Sequence, residues 1–338
     1  MEAVNCCLPV TEDVVWVRVE EAAESGRVRR LATNLAERLA FPPTRAAEVG
    51  LAVTEIGTNL HRHAVEGQVV LRSVRGADRA VIEVLALDRG PGIVDLDLAL
   101  ADGQSTTGTL GVGLGAVRRL ADDFAITSRR DRGTILSARF RPERRDADDD
   151  VSASGLTRPL GGEEVCGDAY AVRTAPDRLT LMMCDGSGHG PLAATAAREA
   201  VRVFCAEPAS APEEMVARLH AALRGTRGGA VAVADLDLVR RTVRFAGLGN
   251  IAASVLADGR KRGMVSVPGV AGYQARTIRA FDHELPPGAR VVLHSDGLTE
   301  RWTFDPELVT LPPLLAAASL LRDAGVRRDD ASVLVASS

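Results

Sequence analysis

Apolar residues recur with two different rhythms along this chain, and the change falls near residue 140. Early on, Val14-Val15-Trp16-Val17-Arg18-Val19 reads as a strand. Two stretches with helical spacing follow, over 22–40 and 44–64, separated by the breaker Phe41-Pro42-Pro43. Strands are predicted over 68–74 and 80–86, the second running into Asp88-Arg89-Gly90-Pro91-Gly92. A Gly-rich loop then enters a helix over 116–124, and two strands close the segment. Helices on one side of a mixed sheet, an α+β two-layer sandwich, use these elements most economically. Beyond residue 155 the chain is strand-rich, with apolar runs at 179–184, 230–234, 243–246, 251–256 and 291–294. Helical stretches lie at 192–204, 212–223 and 313–324. Two sheets flanked by helices, an α-β-β-α sandwich, accommodate all of them.

Between the two patterns lies RPERRDADDDVSASG, highly charged and almost without large apolar residues. Such a stretch cannot bury enough surface to order itself and reads as a linker. The expected division is 1–141, a linker at 142–154, and 155–338. A length of 338 residues agrees with two domains. Hydrophobic residues at 46% supply two cores, and the net charge of −4 comes from interspersed acids and bases, so no nucleic-acid footprint is expected. No apolar run approaches the roughly 20 residues of a membrane span, and the first residues, MEAVNCCLPVTED, show no secretory signal. Five cysteines, at 6, 7, 166, 184 and 205, have no CxxC spacing. The expectation is a cytoplasmic protein with reduced thiols, Cys166 and Cys184 serving as small buried apolar groups.

Four aspartates fall at strand ends or in the turns just after them: Asp168 in CGDAY, Asp185 in CDGSGHG, Asp296 in HSDGL and Asp329 in RDDAS. The glycine after Asp185 and after Asp296 lets the backbone turn sharply and approach an ion or a phosphate. Hard cations such as Mg2+ or Mn2+ are held by carboxylates and water, and two of them support hydrolysis without a covalent intermediate. Any one Asp-Gly pair taken alone reads simply as a β-turn. Together, however, GGEEVCGDAYAV, LMMCDGSGHGPLAATAA, VRFAGLGNIAASVL, VVLHSDGLTERW and RDDASVLVAS resemble the metal-dependent protein phosphatase family, and within it the SpoIIE, RsbU and RsbX branch. That resemblance implies serine/threonine phosphatase activity. It also implies Mn2+ or Mg2+ ligands at Asp168, Asp185, the Gly186 carbonyl, Asp296 and Asp329. Asp330 is left as a solvated loop charge, and His189 as a loop-shaping residue rather than a proton donor. Eukaryotic-type members carry a phosphate-gripping arginine five residues before the first aspartate; here that place holds Glu163, so the phosphate grip is unidentified.

In the first part, Glu55, Asn59 and His63 share one helix face, which by itself is an ordinary solvated face. Asp88 with Gly90 and Gly92 follows, then Gly111, Gly113 and Gly115 entering a helix, where exposed N–H groups suit phosphate. With Gly133-Thr134, these pieces resemble the GHKL ATPase fold, most nearly the RsbT and RsbW serine kinases and anti-sigma factors. The resemblance implies ATP with Mg2+, Asn59 coordinating the Mg2+ and Glu55 activating the attacking group. Asp88 would face the adenine amino group, Gly90, Gly92 and Thr134 the nucleotide, and Gly111, Gly113 and Gly115 the phosphates. The segment 102–109 would be a lid, while Arg62 and His63 would orient neighbours. Joined in one chain, the two resemblances imply a partner-switching regulator acting on a STAS-domain anti-sigma factor antagonist or a stressosome protein, upstream of a sigma factor. They equally allow a phosphatase whose first domain only binds nucleotide or a partner, since a complete nucleotide site does not by itself transfer phosphate.

Overall fold

The computed structural model describes residues 10–75, 80–101, 113–144, 151–161, 163–326 and 328–338. The chain forms two compact units, Val10–Asp150 and Val151–Ser338.

The first unit runs β1 (Val10–Arg18), α1 (Ala22–Arg38), α2 (Pro43–His63), β2 (Gln68–Arg75), β3 (Ala80–Leu87), α3 (Leu96–Leu100), α4 (Leu114–Leu120), β4 (Asp123–Arg129) and β5 (Gly133–Phe140). Val28, Ala32 and Leu35 of α1 and Val49, Val53, Ile56 and Leu60 of α2 recur every three or four residues and form buried stripes. Both stripes pack on one face of the sheet, through Val69, Leu71, Ile82, Val84, Leu136, Ala138 and Phe140. Pro43 starts α2, where a missing N–H costs nothing. The sheet order is β1-β2-β3-β5-β4. Every pairing in it is antiparallel, so the sheet is not the mixed one expected. α4 also stops earlier than the periodicity suggests. Arg45 donates to the Leu120 carbonyl at 2.7 Å and to Asp122 at 2.5 Å, and Asp122 accepts from the Arg141 amide at 2.6 Å. That staple turns the chain at Asp122, and Phe124 lies in strand β4 instead of ending a helix.

The second unit contains β6 (Ala153–Arg158), β7 (Asp168–Ala175), β8 (Arg178–Gly186), α5 (Pro191–Ala206), α6 (Pro212–Ala222), β9 (Gly229–Asp237), β10 (Thr242–Leu248), β11 (Ala252–Ala257) and β12 (Arg260–Met264). It continues with the short β13 (Gly269–Val270) and β14 (Gln274–Ala275), then β15 (Ala280–Glu284), β16 (Arg290–His294), α7 (Glu307–Thr310), α8 (Pro313–Ala324) and β17 (Ala331–Ser337). Two antiparallel sheets result, β15-β10-β9-β8-β7 and β12-β11-β16-β17-β6. Their inner faces share one core: Leu179, Leu181 and Met183 of β8 alternate with Met182 and Cys184, which face α5 and α6 instead. Burial on both faces explains why these strands read as unbroken apolar runs. α8 packs on β17 and β6, completing an α-β-β-α sandwich. β6 starts at Ala153, so the last residues of the stretch read as a linker are part of this sheet; residues 145–150 lie outside the described residues. Cys166 and Cys184 are free thiols, but Cys205 is disulfide-bonded, which corrects the expectation of reduced thiols throughout. Among the described residues, no helix is long and apolar enough to cross a membrane.

One charged row in the first sheet tests its packing. Glu83 of β3 is fully buried between Arg72 of β2 and Arg139 of β5, its register partners on either side. Burial alone would raise its pKa, but the two guanidinium groups outweigh that and hold it below the usual carboxylate value. Its contribution is therefore present above the unfolded carboxylate pKa and lost as pH falls. Replacing Glu83 by Ala leaves Arg72 buried without its partner and should cost about 3–5 kcal/mol in urea unfolding at neutral pH. A loss below about 1 kcal/mol would contradict this account.

Candidate active sites

In the first unit, α2, the ends of β3 and β5, and α3 line an open cavity of about 750 Å³. Glu55, Asn59, Asp88, Gly92, Gly113 and Thr134 all line it, as do Arg62 and His63. Helical spacing brings Glu55 and Asn59 onto the cavity side of α2, and partial burial raises the Glu55 pKa against the opposing effect of Arg62. Asp88, buried at the end of β3, accepts from the Gly90 amide at 2.6 Å through Oδ1 and from the Thr134 amide at 3.1 Å through Oδ2. The carboxylate is thus held by two backbone donors at the wall of the cavity. Gly92 has φ +75, and a Cβ there would run into the Arg129 carbonyl. Gly90 serves the Asp88 turn and is not itself a lining residue. Gly115 is buried inside α4, while Gly113 is its N-cap. Gly111 and the 102–109 segment lie outside the described residues.

Sequence reasoning missed Ser128 and the part played by Gly133. The Ser128 hydroxyl accepts from the Ile93 amide at 2.7 Å and shares a hydrogen bond of 2.9 Å with the Thr134 hydroxyl. A Cβ on Gly133, at φ +81, would strike the Asp88 carbonyl. The register pairing of Ser128 with Thr134 was the available signal, but it becomes visible only when β4 and β5 are aligned.

In the second unit the four sequence-predicted aspartates come together at one end of the sandwich. Asp168 opens β7 and is the register partner of Asp185 at the end of β8. Asp296 follows β16 and Asp329 precedes β17, which are neighbours in the opposite sheet. Asp185 feels the charges of Asp168, Asp296 and Asp329, and it shares a side-chain hydrogen bond with Asp296. Gly186 continues β8, where a Cβ would collide with the Ala193 carbonyl of α5. At Gly297 a Cβ would meet the carbonyl of Asp330. At both glycines neighbouring protein backbone comes closer than a side chain would allow.

Two residues behave differently from expectation. Asp330, read as a solvated loop charge, is only 2% exposed. Its oxygens accept from the Leu160 amide at 2.7 Å and the Gly167 amide at 2.8 Å, so it clamps the approach to β7 beside the predicted ligands. Asn250 was not singled out, yet its side-chain amide donates to Asp296 Oδ2 at 2.6 Å. It follows Gly249, whose φ of +108 turns the chain there. His189 pairs through Nδ1 with Glu163 at 2.9 Å, in keeping with a loop-shaping role.

The acidic cluster fits divalent cations on its own chemistry. Asp168 Oδ2 is buried without a hydrogen-bond partner. Burial first, and then neighbouring carboxylates, push Asp168 up to about 7 despite hydrogen bonds from Ser295 and Ser332. The same causes push Asp185 up to about 9. Asp296 is also raised, by desolvation and then by Asp329. Crowded acids that resist ionisation are what a bound cation relieves. Among the described residues no group of three or more His, Cys, Asp or Glu side chains is set to hold a metal ion.

Comparison with known proteins gives a relative for each unit. Residues 19–140 match the family model of the histidine kinase-like ATPase domain, and residues 175–337 match that of stage II sporulation protein E. The serine/threonine-protein kinase RsbT of Bacillus subtilis (strain 168) is 34% identical over 126 residues, 37% of this chain and 95% of its own length. A solved structure described as "The bacterial stressosome: a modular system that has been adapted to control secondary messenger signaling" is 28% identical, with TM-score 0.51, covering 55% of this chain and 98% of that one. The PP2C phosphatase domain and regulatory fragment of SpoIIE from Bacillus subtilis is 14% identical, with TM-score 0.46, over 94% of this chain and 96% of that one. The chain belongs to the histidine kinase-like ATPase family. More particularly, its first unit is an RsbT-like domain, and it is joined to a SpoIIE-type PP2C phosphatase domain.

The acidic cluster has a thermodynamic signature. Without metal, the folded state holds protons on Asp168 and Asp185 that the unfolded state releases near 3.8, so folding stability falls as pH rises from there through about 7 and about 9. Asp185→Asn removes the cost of keeping this buried carboxyl protonated and should raise metal-free stability by about 1–3 kcal/mol near pH 8. Excess Mn2+ should raise the Tm of the wild-type chain and leave that of Asp185→Asn almost unmoved. Denaturant melts in EDTA and in Mn2+ read both effects, and a metal-free stability that climbs across this pH range would refute the assignment.

Proposed function

We propose that this protein is a bifunctional partner-switching regulator. Its second unit removes phosphate from phosphoserine or phosphothreonine on a STAS-domain anti-sigma factor antagonist or stressosome protein. Its first unit binds ATP with Mg2+ and phosphorylates the same class of target. The observation that carries this reading is the presence, on one chain, of a carboxylate cluster at paired strand ends and a cavity lined by Glu55, Asn59 and Asp88.

In the phosphatase unit, Asp168, Asp185, the Gly186 carbonyl, Asp296 and Asp329 would hold Mn2+ or Mg2+. Such a pair of ions supplies an activated water and offsets charge on the phosphoryl oxygens. Asn250 fixes one oxygen of Asp296 and so limits its rotation, while Asp330 sets the depth of Gly167 and with it the entry to β7. In the kinase unit, Asp88 would accept from the adenine amino group while Asn59 approaches the phosphate-bound Mg2+. Glu55, made more basic by partial burial, would accept the proton of the target hydroxyl. Phosphate adds about −1.5 to −2 charge to the target, sufficient to make or break a docking surface. The ratio of the two rates would then set how much of the target is modified.

Each half has its own test in the full-length chain. Asp185→Ala and Asp296→Ala should each lower Mn2+-dependent phosphate release from a phosphoserine STAS protein by about 100-fold or more. Full activity in either variant would sink the phosphatase assignment. With the phosphatase disabled by Asp185→Ala, labelled ATP and Mg2+ should transfer label to the unmodified STAS protein, and adding Asn59→Ala should stop it. ATP binding that persists with no transfer at any nucleotide concentration would make the first unit a binding module.

A further inference from the structure

The proposed phosphatase centre gathers negative charge, while a phosphomonoester is itself an anion and needs a cation of the protein's own. The loop Gly186-Ser187-Gly188-His189-Gly190 leaves the cluster directly after Asp185 and leads into α5. Gly188 and Gly190 have φ of +85 and +74, and α5 begins at Gly190 without a side-chain cap. Over this loop lies the guanidinium of Arg227, one terminal nitrogen 3.3 Å from the point where a Cβ on Gly188 would stand. Arg227 is exposed, and its guanidinium makes no ion pair or hydrogen bond with any described residue.

The turn that carries Arg227 is built with more care than a free surface charge requires. Gly225 and Gly228 have φ of +90 and +65. Between them the Thr226 hydroxyl donates to the Leu223 carbonyl at 2.7 Å and accepts from the Gly228 amide at 2.9 Å. Tyr273 donates its hydroxyl to the Thr226 carbonyl at 3.0 Å and lays its ring against Gly228. The Ser187 amide donates to the Gly228 carbonyl at 2.9 Å, joining this turn to the loop beyond Asp185. β8 and β9 continue the connection, with Asp185 opposite Ala230 and Gly186 opposite Gly229. The backbone beneath Arg227 is thus locked to the cluster, while its planar fork of donors is left for something outside the protein.

We propose that Arg227 is the phosphate-gripping residue of the second unit. Its guanidinium donates two parallel hydrogen bonds to non-bridging oxygens of a phosphoserine or phosphothreonine monoester lodged against Gly188, a geometry to which arginine is suited and lysine is not. The uncapped N-terminus of α5, at the far end of the same loop, adds partial positive charge. The assignment rests on reading the acidic cluster as a phosphatase centre, and it fills the place that Glu163, bound to His189, does not.

The test uses the full-length chain with Mn2+ and saturating ADP, so that the nucleotide cavity is filled. Inorganic phosphate binding is followed by calorimetry, and hydrolysis of a phosphoserine peptide by phosphate release. Arg227→Ala should weaken phosphate binding by about 10- to 100-fold and raise KM by a similar factor, with kcat changed much less. Arg227→Lys should recover only part of the loss, and Mn2+ affinity should stay at the wild-type value in both. Phosphate binding and KM unchanged in Arg227→Ala would overturn the assignment while leaving the phosphatase reading intact. A wild-type chain that binds phosphate through Arg227 but hydrolyses no phosphopeptide would uphold the assignment and overturn that reading.

Discussion

Repulsion among carboxylates at one end of the second unit sets what the structure around them has to provide. Asp168 and Asp185 face each other across an antiparallel pair, and Asp296 and Asp329 approach from the opposite sheet. Nothing in their own chemistry favours this meeting; two strands each would separate if they were free to. They are held by a core shared between both sheets and by a set of polar contacts just behind them. Asp330 takes two amides, Asn250 takes one oxygen of Asp296, and Ser295 and Ser332 face Asp168. The glycines at 186 and 297 let neighbouring backbone come within reach, which any side chain would prevent. The folding energy of the sandwich is thereby spent in part on holding crowded carboxyl groups where burial and their neighbours resist ionisation.

The first unit prepares its cavity differently. The lining is mostly apolar, and its buried carboxylate, Asp88, accepts from two backbone amides. Crowded acids in one unit and a carboxylate preset by backbone donors in the other are two ways of building a polar site. Neither depends on a nucleophilic side chain, which fits phosphoryl transfer, where positioning and charge neutralisation dominate.

Much of this was readable from residue order. Helical spacing placed α1, α2, α5, α6 and α8 to within a few residues, because each buries a stripe at that period. The doubly buried strands appeared as continuous apolar runs. What escaped was set by partners distant in sequence. α4 ends where Arg45, some 77 residues from Asp122, staples the turn. α3 buries nothing and is defined by its Asp95 cap, so no periodic stripe betrays it. Asp330 looks like its neighbour Asp329 on paper; only the amides of Leu160 and Gly167, brought from the other end of the unit, make it a buried clamp. Asn250 and Arg227 share that history, since each gains meaning only beside a loop from another strand.

The pairing of β6 with β17 carries a consequence for how such a protein is made. The first strand of the second unit zips along its last, from Ala153 opposite Ala336 to Arg158 opposite Ala331. Asp329 and Asp330 stand immediately before that closing strand. During synthesis the other aspartates emerge well ahead of them, and β6 keeps an open edge until β17 has been made. The four aspartates therefore cannot all come together before β17 has paired, so the arrangement is the last part of this sheet to form.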